Sequence, residues 1–149
     1  MERYKPNVTV ACVINCDDKY LMVEELIDGK LTYNQPAGHL EAFESLNQAC
    51  EREVWEETGL SIKAQSLINI YQFQARDDLA FLRFTYACVL DEPLTPKPQD
   101  SAIRRALWMT LDEITQLKSQ LRSPLVLQCI DDFRQGKLFS TEVVNSRFL

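Results

Sequence analysis

Hydrophobic and polar positions alternate with clear punctuation along this chain. Val8–Cys16 is a largely apolar run rich in β-branched residues, closed by Asp17-Asp18, and Tyr20–Leu26 follows and closes at Asp28-Gly29. Runs of this length ending in turn residues predict a strand–turn–strand unit. Leu31–Tyr33 predicts a short strand entering a loop, Asn34–Gly38, interrupted by Pro36 and Gly38. Helical spacing begins at Leu46. Ser45 and Gln48 form a capping box, Leu46–Thr58 contains neither Gly nor Pro, and Gly59 stands where a left-handed cap belongs. Ser66–Gln74 and Phe81–Leu90 have the aliphatic and aromatic enrichment of half-buried strands. Prolines 93, 96 and 98 make Glu92–Ser101 an irregular loop; beyond it lie a short strand, Ala106–Met109, and a short helix, Leu111–Lys118. Ser123-Pro124 opens a final helix that ends near Gly136. The order predicts an α/β (α+β) chain, with helices packed on a mixed sheet.

Composition narrows the partners. At 149 residues the chain suits one domain, 1–149, large enough to bury a core without a metal or disulfide staple. Sixteen basic against 22 acidic residues leave a net charge of −6, which argues against nucleic acid or anionic membrane as the main partner. Something other than net charge must then attract an anionic substrate, and a divalent cation is the obvious candidate. The single histidine, His39, excludes any site that needs a pair of them. Five scattered cysteines without a Cys-x-x-Cys pair read as reduced, buried thiols, and no signal-peptide or membrane-length segment is present, so a cytoplasmic location is expected. No sustained heptad or apolar patch is legible; a monomer is the expectation and a dimer the alternative.

The chemistry concentrates on the capped helix. At about 100° per residue, Leu46, Ala49, Cys50 and Val54 share one arc. Glu53 and Glu57 fall inside that arc and Glu56 at its edge, so three carboxylates point toward or beside the face that should meet the sheet. Like charges four residues apart repel, and burial magnifies the conflict. Mg²⁺ would relieve it, because it takes a few carboxylates together with water and phosphate oxygens. A solvated helix with Arg52 paired to Glu56 is the ordinary alternative. The flanking residues decide between them: Gly38, Glu44, Arg52-Glu53-Val54, Glu56-Glu57 and Gly59-Leu60 follow Gly-x5-Glu-x7-Arg-Glu-aliphatic-x-Glu-Glu-x-Gly-aliphatic. A chance match is on the order of one in ten million.

Over Gly38–Leu60 the sequence resembles the Nudix hydrolase family at every motif position. The resemblance implies an α/β/α sandwich with a mixed sheet, in which the motif forms loop–helix–loop. It implies hydrolysis of a diphosphate linked to another moiety, with Mg²⁺ or Mn²⁺ as cofactor. Asn34–Glu41, Phe81–Phe84 and Leu121–Val126 also look like a phosphatase subgroup of the family that removes terminal phosphate from nucleoside tri- and diphosphates and from hydroxymethylpyrimidine pyrophosphate. A small phosphorylated molecule is then the expected partner.

Carried over by position, Glu53, Glu56 and Glu57, with the Gly38 carbonyl, are the expected metal ligands, and Glu53 and Glu56 share the catalytic work. Arg52 is expected to orient these carboxylates from behind. Glu44, before the helix start, serves structure at least as readily as metal. A water activator outside the motif falls to Asp100, with Glu92 as rival. His39 is a hydrogen-bonding loop residue before it is an acid or base. Arg83 and Arg122 are candidates for phosphate contact; Gln35 and Tyr33 complete the expected substrate side, and Tyr33, Tyr71, Phe73 and Trp108 are aromatic candidates for stacking that otherwise belong to the core. Trp55 lies opposite the acids. Two further readings stand beside the phosphatase. One is a pyrophosphatase for a dinucleotide or nucleotide sugar, weakened because Ala75-Arg76-Asp77-Asp78 lacks the proline of ADP-ribose-selective relatives. The other is a non-catalytic binding module, which the intact motif acids oppose.

Overall fold

The computed structural model describes residues Met1–Leu149. Seven strands and three α-helices occur in the order β1 (Asn7–Cys16), β2 (Lys19–Ile27), β3 (Lys30–Asn34), β4 (Ala37–His39), α1 (Leu46–Thr58), β5 (Ser66–Arg76), β6 (Leu79–Val89), β7 (Ile103–Thr110), α2 (Leu111–Gln116) and α3 (Leu125–Arg134). The sheet runs β3-β2-β1-β6-β5, with β4 added to β1 and β7 to β2. It is mixed: β1 and β6 are parallel from Asn7↔Phe81 to Asn15↔Val89, and the other pairs are antiparallel.

β1 explains the layering. Both its faces are covered, so it reads as a continuous apolar run rather than an alternating one. Val10, Cys12 and Ile14 pack under α1 with Ala49, Cys50 and Val54, while Val13 faces Val126, Cys129 and Ile130 of α3. Helices therefore lie on both sides of the sheet, the α/β/α sandwich expected above. All five cysteines are free and buried, and no helix is long and apolar enough to cross a membrane.

The sheet also splays where the site forms. β1 pairs with β2 only at Asn15↔Tyr20 and Cys16↔Lys19. Beyond that hairpin β1 takes β4 as its neighbour, through Thr9↔His39, Val10↔Gly38 and Ala11↔Ala37, while the same edge of β2 takes β3 and its other edge pairs β7. This corrects the expected Asn34–Gly38 loop: Ala37 and Gly38 lie in a three-residue strand. Such a strand is too short to show a period-two pattern, and its glycine disguises it. β7 also starts earlier than expected, at Ile103, because Arg104-Arg105 masks the strand pattern there. α2 stops at Gln116 and gives way to a 3-10 turn, Lys118–Gln120.

The capping box of α1 is present in both directions, and Gly59 closes the helix at φ 74°. A Cβ on Gly59 would sit 2.1 Å from the Lys97 carbonyl oxygen. Left-handed backbone and backbone collision act together here, so Gly59→Ala should cost at least about 2 kcal/mol. Thermal denaturation checks this; an unchanged Tm would contradict the packing of residue 97 on the helix end.

Candidate active site

The motif acids reach the splayed part of the sheet from the last turns of α1. Glu57 is 6% exposed; its Oε1 accepts the Ala37 N–H of β4 at 2.8 Å. Desolvation dominates its electrostatics, and the charges of Glu53, Glu25 and Asp100 add to it, so the carboxyl is pushed up to about 9 although the Ala37 hydrogen bond opposes this. Glu53 is half-buried. Burial raises its carboxyl too, against the pull of Arg52.

Gly38 earns its place by space rather than by backbone freedom. Its φ is not in the left-handed region. A Cβ there would lie 2.1 Å from the Glu53 carboxyl carbon and Oε1. Because the colliding atoms end a flexible side chain, Gly38→Ala should leave folding within about 1 kcal/mol of wild type. It should displace the Glu53 carboxylate and cut kcat/KM by about a hundredfold. Near-normal turnover with an unchanged Tm would show that the Glu53 position does not matter.

Arg52 ties the acids together. Its Nε and Nη2 donate to Glu44 at 2.9 and 2.8 Å, Nη1 donates to Glu53 at 2.8 Å and to Glu56 at 3.3 Å, and Nη2 also donates to the His39 carbonyl at 2.9 Å. Glu41 stands 3.6 Å away. Glu44 is thereby a structural partner: the Arg52 hydrogen bond holds its carboxyl below the usual range, and it accepts the Glu41 N–H. Glu56 is the most exposed of the motif acids that Arg52 bonds, at 37%.

The expected gathering of Glu53, Glu56 and Glu57 around one point is not the arrangement seen, since no group of three acidic side chains converges closely enough to hold an ion. Arg52 draws Glu53 and Glu56 to itself, and Glu57 turns to β4. The donor set nevertheless fits a hard divalent cation. Glu57 is a buried carboxylate without a cationic partner, Glu53 lies against a glycine that leaves it room, and carboxylate and carbonyl oxygens are the ligands Mg²⁺ and Mn²⁺ take.

Asp100 belongs to this end of the molecule. Its loop is pinned to α1, the N–H groups of Gln99 and Asp100 both donating to the Glu56 carbonyl, at 2.9 and 2.8 Å. The Asp100 charge is felt by Glu57 and Glu25. Glu92 is instead felt at Cys16, the opposite end of β1. Of the two rivals, only Asp100 neighbours the acids.

A cavity of about 480 Å³ opens beside Glu57 and Gly38, with Glu25, Phe73, Phe81, Arg83 and Arg122 among its walls. Arg122 is brought there by its N–H, which donates to the Tyr33 carbonyl at 2.8 Å. Arg83 is 5% exposed, on β6. Gln35 is buried behind it, accepting from Arg83 Nη2 at 3.0 Å and donating to the Val126 carbonyl at 2.8 Å. Gln35 thus positions Arg83 and is not itself on the wall. Tyr33 is not on the wall either: it is 6% exposed, and its hydroxyl donates to Glu24 at 2.6 Å. Tyr71 bonds Asp132, and Trp108 donates to the Leu94 carbonyl. Of the aromatic candidates only Phe73 lines the cavity, together with Phe81, which sequence reasoning did not single out. His39 is at the rim, and Trp55 is half-exposed on the far side of α1.

Glu25 was also missed. Glu24 and Glu25 are adjacent on β2, so their side chains must leave opposite faces of the sheet. Glu24 is held by Tyr33, Arg104 and Arg105; Glu25, leaving the other face, lines the cavity. The paired acids inside an apolar strand were the available signal.

The NUDIX domain family model matches residues 3–128. Over 141 residues the chain is 46% identical to the protein named Phosphatase NudJ in Escherichia coli strain K12 and in Shigella flexneri, covering 95% of this chain and 92% of each relative. A NUDIX hydrolase from Nitrosomonas europaea superposes with a TM-score of 0.87 at 45% identity, covering 95% of this chain and 97% of that one. The NUDIX domain of Shewanella oneidensis NrtR, solved in complex with ADP ribose, shares the fold with a TM-score of 0.77 at 18% identity over 90% of both chains.

Proposed function

This chain belongs to the Nudix hydrolase family and is a hydrolase of phosphoanhydrides, and on that premise we propose that it removes orthophosphate from nucleoside tri- and diphosphates and from hydroxymethylpyrimidine pyrophosphate, using Mg²⁺, with Mn²⁺ able to substitute. The observation that carries the metal-dependent reading is Glu57, a buried carboxylate with no cationic partner, at the mouth of a cavity whose wall includes Gly38. Family members use divalent metal ions. A phosphatase is favoured over a pyrophosphatase by the likeness to Phosphatase NudJ across 95% of the chain.

Glu53, Glu56, Glu57 and the Gly38 carbonyl are the residues that would hold the cation. When bound, it neutralises charge on the diphosphate and polarises the phosphorus centre toward water. Arg52 keeps Glu53 and Glu56 oriented and stays protonated throughout, since its carboxylate partners stabilise the charge. Asp100 takes the proton of the attacking water: only Oδ1 of its carboxylate is engaged, by the Ala102 N–H at 2.9 Å. Arg122, at the cavity edge beside the charge of Glu25, contacts the phosphate oxygens. All these residues come from one chain, so a monomer suffices; the five free cysteines suit the reducing cytoplasm.

The test is product analysis. With Mg²⁺ and a nucleoside triphosphate, orthophosphate and the nucleoside diphosphate should appear first, followed by further orthophosphate. Pyrophosphate and the monophosphate as the first products would overturn the phosphatase reading and favour internal cleavage.

A further inference from the structure

Arg83 is a buried cation that no carboxylate neutralises. Nη2 is taken by Gln35, and Nε is buried without any partner. Burying an unpaired charge costs several kcal/mol, so a guanidinium left this way beside a cavity points to a missing acceptor. The motif acids do not supply that acceptor. Arg83 is in register with Thr9 and, through it, with His39, which places its Cα two strand spacings, about 10 Å, from β4. The groups whose charge it feels are Cys129 and Tyr71, and none of the motif acids is among them.

What stands beside it is aromatic. Phe81 is two residues away on β6, hence on the same face, and its cross-strand partner is Phe73. Their rings stack 6.4 Å apart at 18°, and both line the cavity with Arg83. Stacked rings offer a flat apolar wall, and a guanidinium offers a planar fork of donors matched to in-plane ring nitrogens or carbonyls.

We infer that Arg83 reads acceptor atoms on the edge of an aromatic heterocycle seated against Phe73 and Phe81, making it the residue that selects the leaving side of the substrate. This rests on the phosphohydrolase reading above. The probes are pyrimidin-5-ylmethyl diphosphate and benzyl diphosphate, isosteres that differ only in two ring nitrogens. With Mg²⁺, the wild-type enzyme should favour the pyrimidine compound by at least about tenfold in kcat/KM, since the benzyl ring leaves the donor unpaired. Arg83→Met should bring that ratio close to one, and Arg83→Lys, which keeps the charge but loses the fork, should fall between. A wild-type ratio near one overturns the inference whatever the variants do. So does an Arg83→Met enzyme that loses both substrates equally, the outcome of a phosphate-binding or purely structural arginine. Cleavage of nucleoside diphosphates with no turnover of either probe removes this inference alone, whereas no orthophosphate from any diphosphate removes the phosphohydrolase reading itself.

Discussion

Glu57→Gln is expected to lower orthophosphate release by about three orders of magnitude and, in the metal-free protein, to raise the Tm. The two effects have one origin. A carboxylate placed to hold a cation must be ready before the cation arrives, and here that means 6% exposure with other acids nearby. Its folded-state value, about 9, lies above the unfolded value of 4.5. The native state therefore binds this proton more tightly than the unfolded chain does. The resulting penalty on folding is nil below the unfolded value, grows as pH rises, and levels off near the folded one. Glutamine can still accept the Ala37 N–H without carrying charge. At pH 7.5 the gain should be about 2 kcal/mol, roughly 5 °C for a chain of this size. It should shrink toward zero near pH 4 and be largest near pH 9. Melting curves in EDTA across that range, alongside orthophosphate assays, check both halves. A variant that is inactive and destabilised at pH 7.5 would mean that Glu57 serves the fold and not the cation.

Arg52→Met should have the next largest effect, with opposite sign on stability. It strips the guanidinium from Glu44, Glu53, Glu56 and Glu41 at once. With the arginine 22% exposed, solvent screens part of the loss, so about 2 kcal/mol is expected rather than the 3–5 of a fully buried pair. The pH dependence identifies the cause. Arg52 holds the Glu44 carboxyl down, so that contribution is present above the unfolded carboxylate range and disappears as pH falls through the folded value of Glu44. The Tm gap between wild type and variant should accordingly close in acid. Activity should fall at least about a hundredfold, because Glu53 and Glu56 lose the donor that orients them. Arg52→Lys separates charge from geometry: an ammonium cannot grip Glu44 with two donors and bond Glu53 as well. It should recover much of the stability and little of the activity. Full activity in Arg52→Lys would show that only the charge matters.

The parts of this molecule written in local patterns are legible in its sequence. The α1 cap residues, the apolar run of β1 and the spacing of the motif acids depend on residues within a turn or two of each other. β4 escaped because three residues carry no period, and its strand character exists only through β1. The division of labour among polar residues escaped for the same reason. Tyr33 and Tyr71 look alike in sequence as candidates for stacking; Glu24 and Asp132 claim their hydroxyls, and those partners lie on other elements. Arg83 is legible as a residue of interest, but not that Gln35, on another element, holds it from behind.

Glu53 and Glu57, beside Gly38, are the proposed ligands of the divalent cation. Mn²⁺ binding followed by electron paramagnetic resonance tests it directly, with Glu24→Gln as a control that alters a buried carboxylate elsewhere. Wild type and Glu24→Gln should bind one ion with equal affinity, and Glu57→Gln should weaken that affinity at least about tenfold. Equal Mn²⁺ affinity in all three proteins would contradict the account.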